Sequence, residues 1–209
     1  MKSIRKMYVA ALAAAAGMIG VGSASTAQAE QPPRVSIASI NLRGPACPPG
    51  TATVDLLRGN TAFVITYNEF NVEAGPDVPL PESSKHCVAI VGLDYPAGWT
   101  WAVSSIVYRG NMILGDAVSG RLRTRLSFPG SPSVSKEVRQ SGPFLGDFEL
   151  PARYETQVWA PCGGGRLPMT MTATAQVDNT RSRSRSGLVT VEQQDGTFDM
   201  ICNIQWRRC

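Results

Sequence analysis

From residue 35 onward, apolar positions recur at period two or in short unbroken runs, and no stretch carries a capped helical period. Residues 35–42 (VSIASINL), 52–57 (ATVDLL) and 62–69 (AFVITYNE) read as strands, with Arg58-Gly59-Asn60 turning between the last two. Residues 87–93 (CVAIVGL) read as a buried strand. In 99–108 (WTWAVSSIVY), period two places Trp99, Trp101, Val103, Ser105 and Val107 on one face, and Arg109-Gly110-Asn111 reads as the turn that ends the strand. Further strands are expected at 120–128, 133–139, 155–161, 168–177, 186–193 and 197–206, with Asp195-Gly196 as a hairpin signal between the last two. Proline-containing segments at 75–85 and 129–132 read as surface loops. Many short strands punctuated by Gly and Pro predict an all-β fold, a jelly-roll-like β-sandwich.

Residues 1–29 break the pattern. Lys2, Arg5 and Lys6 precede an apolar, alanine-rich run from Met7 to Val21, and Ala27-Gln28-Ala29 offers the small residues of a signal-peptidase site. The run is too short for a comfortable transmembrane span. The expected product is a secreted chain of residues 30–209 forming one domain, with no transmembrane segment of its own. Removing the leader also changes the charge. It holds three of the 20 Lys and Arg residues and none of the 16 Asp and Glu, so the remainder carries 17 against 16. All five cysteines lie beyond the leader and none has C-x-x-C spacing, which fits bridges made in an oxidising compartment. An odd count leaves one thiol over, and the pairing is not readable from spacing.

Little in the chain points to catalysis. His86 is the only histidine and adjoins Cys87, so a Ser–His–Asp or Cys–His arrangement would have to use a residue beside an expected bridge. No nucleophile elbow, phosphate loop or dinucleotide fingerprint is present. No catalytic residue, cofactor or metal site is assigned. Loop oxygens near Asp77, Asp147 or Asp178 are unspecific as calcium ligands. Two carboxylate pairs are candidates for glycoside hydrolysis, Glu69 with Glu73 and Asp147 with Glu149, and the strand spacing of the second puts both on one face. Trp99 and Trp101 share a face, as in sugar-stacking modules, but they suit a sandwich core better.

The most distinctive charge pattern is a repeated arginine alternation. In "GRLRTRLSF" (120–128), Arg121, Arg123 and Arg125 lie on one face and Leu122, Thr124 and Leu126 on the other. In "TRSRSRSG" (180–187), Arg181, Arg183 and Arg185 alternate with serines in what reads as the tip of a hairpin between 168–177 and 186–193. Outside the cell such a tract has no intracellular nucleic acid to meet. If the two stretches are neighbours, their guanidinium groups form a positive surface for acidic polymers.

The order of segments adds a further expectation. "GPACPPGT" (44–51), "NTAFVITYNEF" (60–70), "DYPAGW" (94–99), "YRGNMILG" (108–115), "GPFLGDFEL" (142–150), "VWAPCGG" (158–164), "SGLVTVEQQDG" (186–196) and the terminal "IQWRRC" (204–209) occur in sequence. Together the chain resembles the secreted proteins of domain-of-unknown-function family 4360, found in bacteria and fungi. The resemblance implies a secreted, all-β, disulfide-bonded domain with no established activity. It places Cys47, Cys87, Cys162 and Cys209 on the family's four cysteine positions and leaves Cys202 as an addition. By strand parity Cys202 shares a face with Ile204 and Trp206, so a buried inert thiol is expected. At 86 the family pattern leads one to expect an asparagine where this chain has His86. The expected function is that of a non-catalytic extracellular or cell-envelope protein binding acidic polysaccharide or another envelope polyanion. The alternative is a carbohydrate-active module, binding sugar through aromatics or hydrolysing it with a carboxylate pair.

Overall fold

The computed structural model describes residues 33–162, 167–190 and 198–209; the leader and the Asp195-Gly196 hairpin lie outside them. Twelve strands follow in chain order: β1 (Ser36–Arg43), β2 (Ala52–Leu56), β3 (Ala62–Tyr67), β4 (Val72–Ala74), β5 (Ser84–Asp94), β6 (Trp99–Leu114), β7 (Ser119–Ser127), β8 (Val134–Ser141), β9 (Phe144–Arg153), β10 (Met169–Asp178), β11 (Gly187–Thr190) and β12 (Phe198–Arg208). They form two sheets packed as a sandwich. One has the order β1-β5-β10-β7-β8; the other has β2-β3-β12-β6-β11-β4, with β9 paired to the opposite edge of β6. Between β2 and β3 the chain turns through Arg58–Asn60, where Gly59 (φ 81°) and Asn60 (φ 56°) take the left-handed conformation those residues tolerate best.

Three expectations are corrected. Arg109-Gly110-Asn111 is no turn: β6 runs straight through it, because β9, which the sequence pattern did not reveal, pairs with it over Ser105 to Leu114. Residues 155–161 form no ladder, although Ala160 is tied to β6 at both ends of its peptide, by its N–H to Trp101 O and by Thr100 Oγ1 donating to Ala160 O. The Arg–Ser stretch is not a hairpin tip, since β10 belongs to the first sheet and β11 to the second. It is a crossover between sheets.

A bulge also redirects β6. Asn203 pairs with Ser105 but Ile204 with Val103, leaving Ser104 as the extra residue. The inward set therefore passes from Trp101 and Val103 to Ile106, Tyr108, Met112 and Leu114. Ser105 and Val107 turn away from the core face that strict period two predicts for them.

The core between the sheets is aromatic. Trp101 meets Phe63 and Phe128 edge to face at 6.5 and 5.2 Å, while Phe198 gathers Tyr67, Phe70, Tyr108 and Phe148. Each such pair contributes about 0.5–1.5 kcal/mol beyond its burial. Two tyrosine hydroxyls inside are paired, whereas the Trp101 indole N–H has no hydrogen-bond partner among the described residues. Tyr108 donates its hydroxyl to Thr124 Oγ1 at 2.7 Å, and Tyr154 donates to Thr124 O at 3.1 Å. Burial pushes both phenols above their ordinary range.

Cys47 is bridged to Cys87 and Cys162 to Cys209, closing separations of 40 and 47 residues. In the chain-entropy picture each contributes about 4 kcal/mol. Cys202 is a buried free thiol whose pKa burial drives upward, so it stays protonated. The segment "IQWRRC" is a structural clasp. Trp206 donates its indole N–H to Asn60 O at 2.7 Å and packs on Tyr95 and Trp101. The next two side chains stack over rings, Arg207 on Trp159 at 3.9 Å and Arg208 on Trp99 at 4.1 Å. Cys209 donates its N–H to Gly98 O and carries the bridge to Cys162.

Candidate functional site

Strand β7 alternates as its sequence demands. Leu122, Thr124 and Leu126 are buried, Arg123 and Arg125 are exposed and Arg121 is half-buried. Leucines facing the core fix the arginines on the outer face of the first sheet, because side chains on a strand alternate sides. Neighbouring strands complete that face by register. Gln176 and Arg139 flank Arg121; Thr174 and Glu137 flank Arg123; Thr172 and Ser135 flank Arg125. Across β10 the rows continue to His86 and Val88 on β5, and Arg43 on β1 pairs with Val88. The result is a sheet surface of threonines, serines and arginines.

The partners of these arginines differ. Arg121 is ion-paired with Asp178 at the end of β10. Arg123 donates to Ser135 Oγ at 3.3 Å, and Arg125 donates through Nε to Ser133 Oγ at 2.9 Å. A hydroxyl orients a guanidinium without cancelling its charge. Among the described residues neither Arg123 nor Arg125 reaches a carboxylate at ion-pair distance, although Glu137 stands opposite Arg123 in the ladder.

Arg181, Arg183 and Arg185 are exposed but occupy the crossover rather than the sheet face. Two tight turns close it, through Ser182 N–H to Asn179 O and Arg185 N–H to Ser182 O, both 2.9 Å. Asn179 Nδ2 reaches back to the carbonyls of Arg183 and Arg185 at 3.5 and 3.2 Å. Asp178 accepts from Thr180 twice, at its N–H and its hydroxyl, and these bonds, ahead of the nearby Arg121 and Arg139 charges, hold its carboxyl below the usual carboxylate range. Arg185 lies 3.9 Å from Asp116. The crossover then enters the second sheet at Gly187, where a Cβ would stand 2.7 Å from both Val118 and Val177 side chains. The six arginines are thus not one array. Three line the sheet face and three sit at its end, joined through Asp178.

The features weighed for sugar chemistry are placed differently. Trp99 and Trp101 are buried, and Trp159 and Trp206 are half-buried under the clasp arginine and the core. None of the tryptophans offers an open platform. Asp147 and Glu149 do share a face, the outer face of the second sheet, but each is exposed and held across the strand, Asp147 by Asn111 Nδ2 at 3.0 Å and Glu149 by Arg109 Nε at 2.9 Å. Glu69 lies in the turn after β3, and Glu73 points outward from β4. His86 is exposed on the arginine-bearing face, in the row of Thr174 and Arg123. Among the described residues no three His, Cys, Asp or Glu side chains gather as a metal site, and no helix is long and apolar enough to cross a membrane.

Arg43, Arg139 and the threonine column of β10 are members of the sheet face that sequence reasoning did not single out. The column is visible as alternation in "MTMTATAQV"; Arg43 and Arg139 join it only through the register.

A family model described as a domain of unknown function, DUF4360, matches residues 33–209. An uncharacterized secreted protein of Arthroderma benhamiae is 29% identical over 185 residues, which span 87% of this chain and 74% of the fungal one. Among solved structures, TmCBM61 in complex with β-1,4-galactotriose aligns at 11% identity and a TM-score of 0.30, over 82% of this chain and 90% of its own. The mannan-recognising carbohydrate-binding module TmCBM27 aligns at 9% identity and a TM-score of 0.30, over 84% and 99%. At such TM-scores neither likeness bears on what this chain binds.

Proposed function

The chain belongs to the domain-of-unknown-function family 4360 and is secreted, and from that premise we propose that it is a non-catalytic extracellular binding protein for acidic polymers. The working part is the mature domain, residues 30–209, left when the leader is removed. Its binding surface is the outer face of the first sheet, where Arg121, Arg123 and Arg125 run along β7 with Arg139 beside them and Arg43 on the far edge strand, beyond β10 and β5. Arg181, Arg183 and Arg185 prolong it at one end.

One observation carries the reading: Arg123 and Arg125 are exposed and oriented by serine hydroxyls, not neutralised by carboxylates. Guanidinium groups held in this way keep free N–H donors for carboxylate or phosphate oxygens and lose little freedom on binding. The ligand class is an anionic polysaccharide or other envelope polyanion. A flat, open face suits an extended chain better than a small molecule.

The test is retention of the mature protein on acidic and neutral polysaccharides at low and moderate salt. The expected result is retention on the acidic polymers only, lost at moderate salt, where charges beyond about 8 Å are screened. Arg123→Ser with Arg125→Ser should abolish it, and Arg181→Ser with Arg183→Ser should weaken it. Retention on neutral glycan that survives salt would instead support the carbohydrate-module alternative.

A further inference from the structure

The two outer faces of the sandwich carry opposite charge. On the first sheet, once Arg121 is paired with Asp178, the face holds Arg43, Arg123, Arg125 and Arg139 against Glu137 and Asp94. On the second, register puts Asp199, Arg109 and Glu149 in one row, with Asp55, Asp147 and Glu73 in neighbouring rows. Once Arg109 is paired with Glu149, that face holds Asp55, Glu73, Asp147 and Asp199 against Arg153 and Arg207. The near-neutral total charge of the mature chain conceals this separation.

The acidic face also carries two apolar rows, one on each side of the charged Asp199–Arg109–Glu149 and Asn111–Asp147 rows. Val107 pairs with Ile201 and Pro151, and Ile113 pairs with Leu188 and Leu145. Leu145 is 79% exposed and Ile113 41%. Exposed apolar side chains beside charged ones suit a protein-binding surface. The available area is adequate. Five strands at about 4.8 Å and eight residues at about 3.3 Å cover roughly 24 by 26 Å, comparable with the ~800 Å² per partner of an ordinary interface.

We infer that the acidic outer face of one molecule docks on the arginine-bearing outer face of a second copy. The argument is charge complementarity: the surface that fits the acidic sheet is carried by the same chain on its opposite side. Because the two faces differ and lie on opposite sides of the sandwich, the contact is head to tail. Such a contact leaves one acidic and one basic face open at the ends and does not close at a dimer. Acidic polymer and a second copy would then compete for the same arginines, so a polyanion should shorten the stacks.

Sedimentation velocity of the mature protein at low salt, over a concentration series, tests this. The mean mass should rise with concentration beyond that of a dimer and fall back to monomer at moderate salt. Arg123→Ser with Arg125→Ser should be monomeric, and so should Asp147→Asn with Asp199→Asn. Mixing these two variants is the decisive arm. Each retains the face the other lacks, so the mixture should form a dimer and nothing larger, which also shows that both are folded. A wild-type chain that stays monomeric at low salt, a plateau at dimer, or a mixture that stays monomeric would overturn the inference. The Asp147→Asn, Asp199→Asn variant keeps the arginine face and should still be retained on acidic polymer. Loss of that retention, with the wild-type chain still stacking and the mixed variants still dimerising, would count against polymer binding alone.

Discussion

Arg121 to Arg125 and Arg181 to Arg185 carry charge at the same spacing and have opposite structural fates. The residues between the arginines decide it. In the first, Leu122 and Thr124, followed by Leu126, supply a buried side that packs the strand against the core, and each peptide joins a ladder with β8 and β10. In the second, Ser182 and Ser184 offer nothing to bury, so the backbone turns upon itself and Asn179 satisfies the freed carbonyls. Alternation creates a face only where its silent half is apolar.

The contrast can be broken most severely at Leu122. Leu122→Ser, which gives the first stretch the composition of the second, should lower stability by about 3–5 kcal/mol, seen as a fall in the urea midpoint with little change in slope. Next comes Thr124→Val, similar in shape but unable to accept from Tyr108. It should cost about 1–3 kcal/mol, and restoring a hydroxyl with Thr124→Ser should recover part of the loss. The third effect concerns the residue that joins the two stretches. The folded pKa of Asp178 lies below its unfolded value, so its contribution is complete above the ordinary carboxylate range and lost as pH falls through the lowered folded value. Acid unfolding followed near pH 2–4 should therefore be less steep in Asp178→Asn than in wild type. Smallest of all, Arg183→Ser should move stability by no more than about 0.5 kcal/mol, because the side chain is exposed and its loop is held by backbone carbonyls.

Much of this was visible in the sequence because period two survives wherever a strand has one wet face. Strands β7 and β10, the buried tryptophans and the inert Cys202 follow from it. The places where it fails are physical. Arg109-Gly110-Asn111 has the composition of a turn, but a glycine opposite the bulky Phe148 fits a ladder equally well once β9 lies alongside. Pro151 disguised β9, and it is tolerated there because β9 pairs on one side only. The Ser104 bulge shifted the face of half of β6, since an inserted residue leaves no mark in composition. Sheet membership was equally hidden: β10 and β11 look like hairpin partners, and only the pairing of β11 with β6 and β4 shows that the chain has crossed over. At the candidate site, alternation displayed the arginines, while Ser133, Ser135 and Arg139 depend on the register of β8 against β7, and Arg43 on register across strands far apart in the chain.

The position of Cys202 has a consequence for biogenesis. A chain exported before it has folded meets an oxidant with every thiol open, and whichever cysteine is left out, the other four can join in three ways. Cys202 sits in β12, which is bonded to β3 on one side and β6 on the other. Once that strand is zipped, the thiol is sealed from any attacking thiolate and drops out of shuffling. The four remaining sulfurs then sort themselves on a scaffold that holds Cys47 by Cys87 and Cys162 by Cys209. An oxidant that outpaces the pairing of β12 would trap the odd cysteine in the wrong bond.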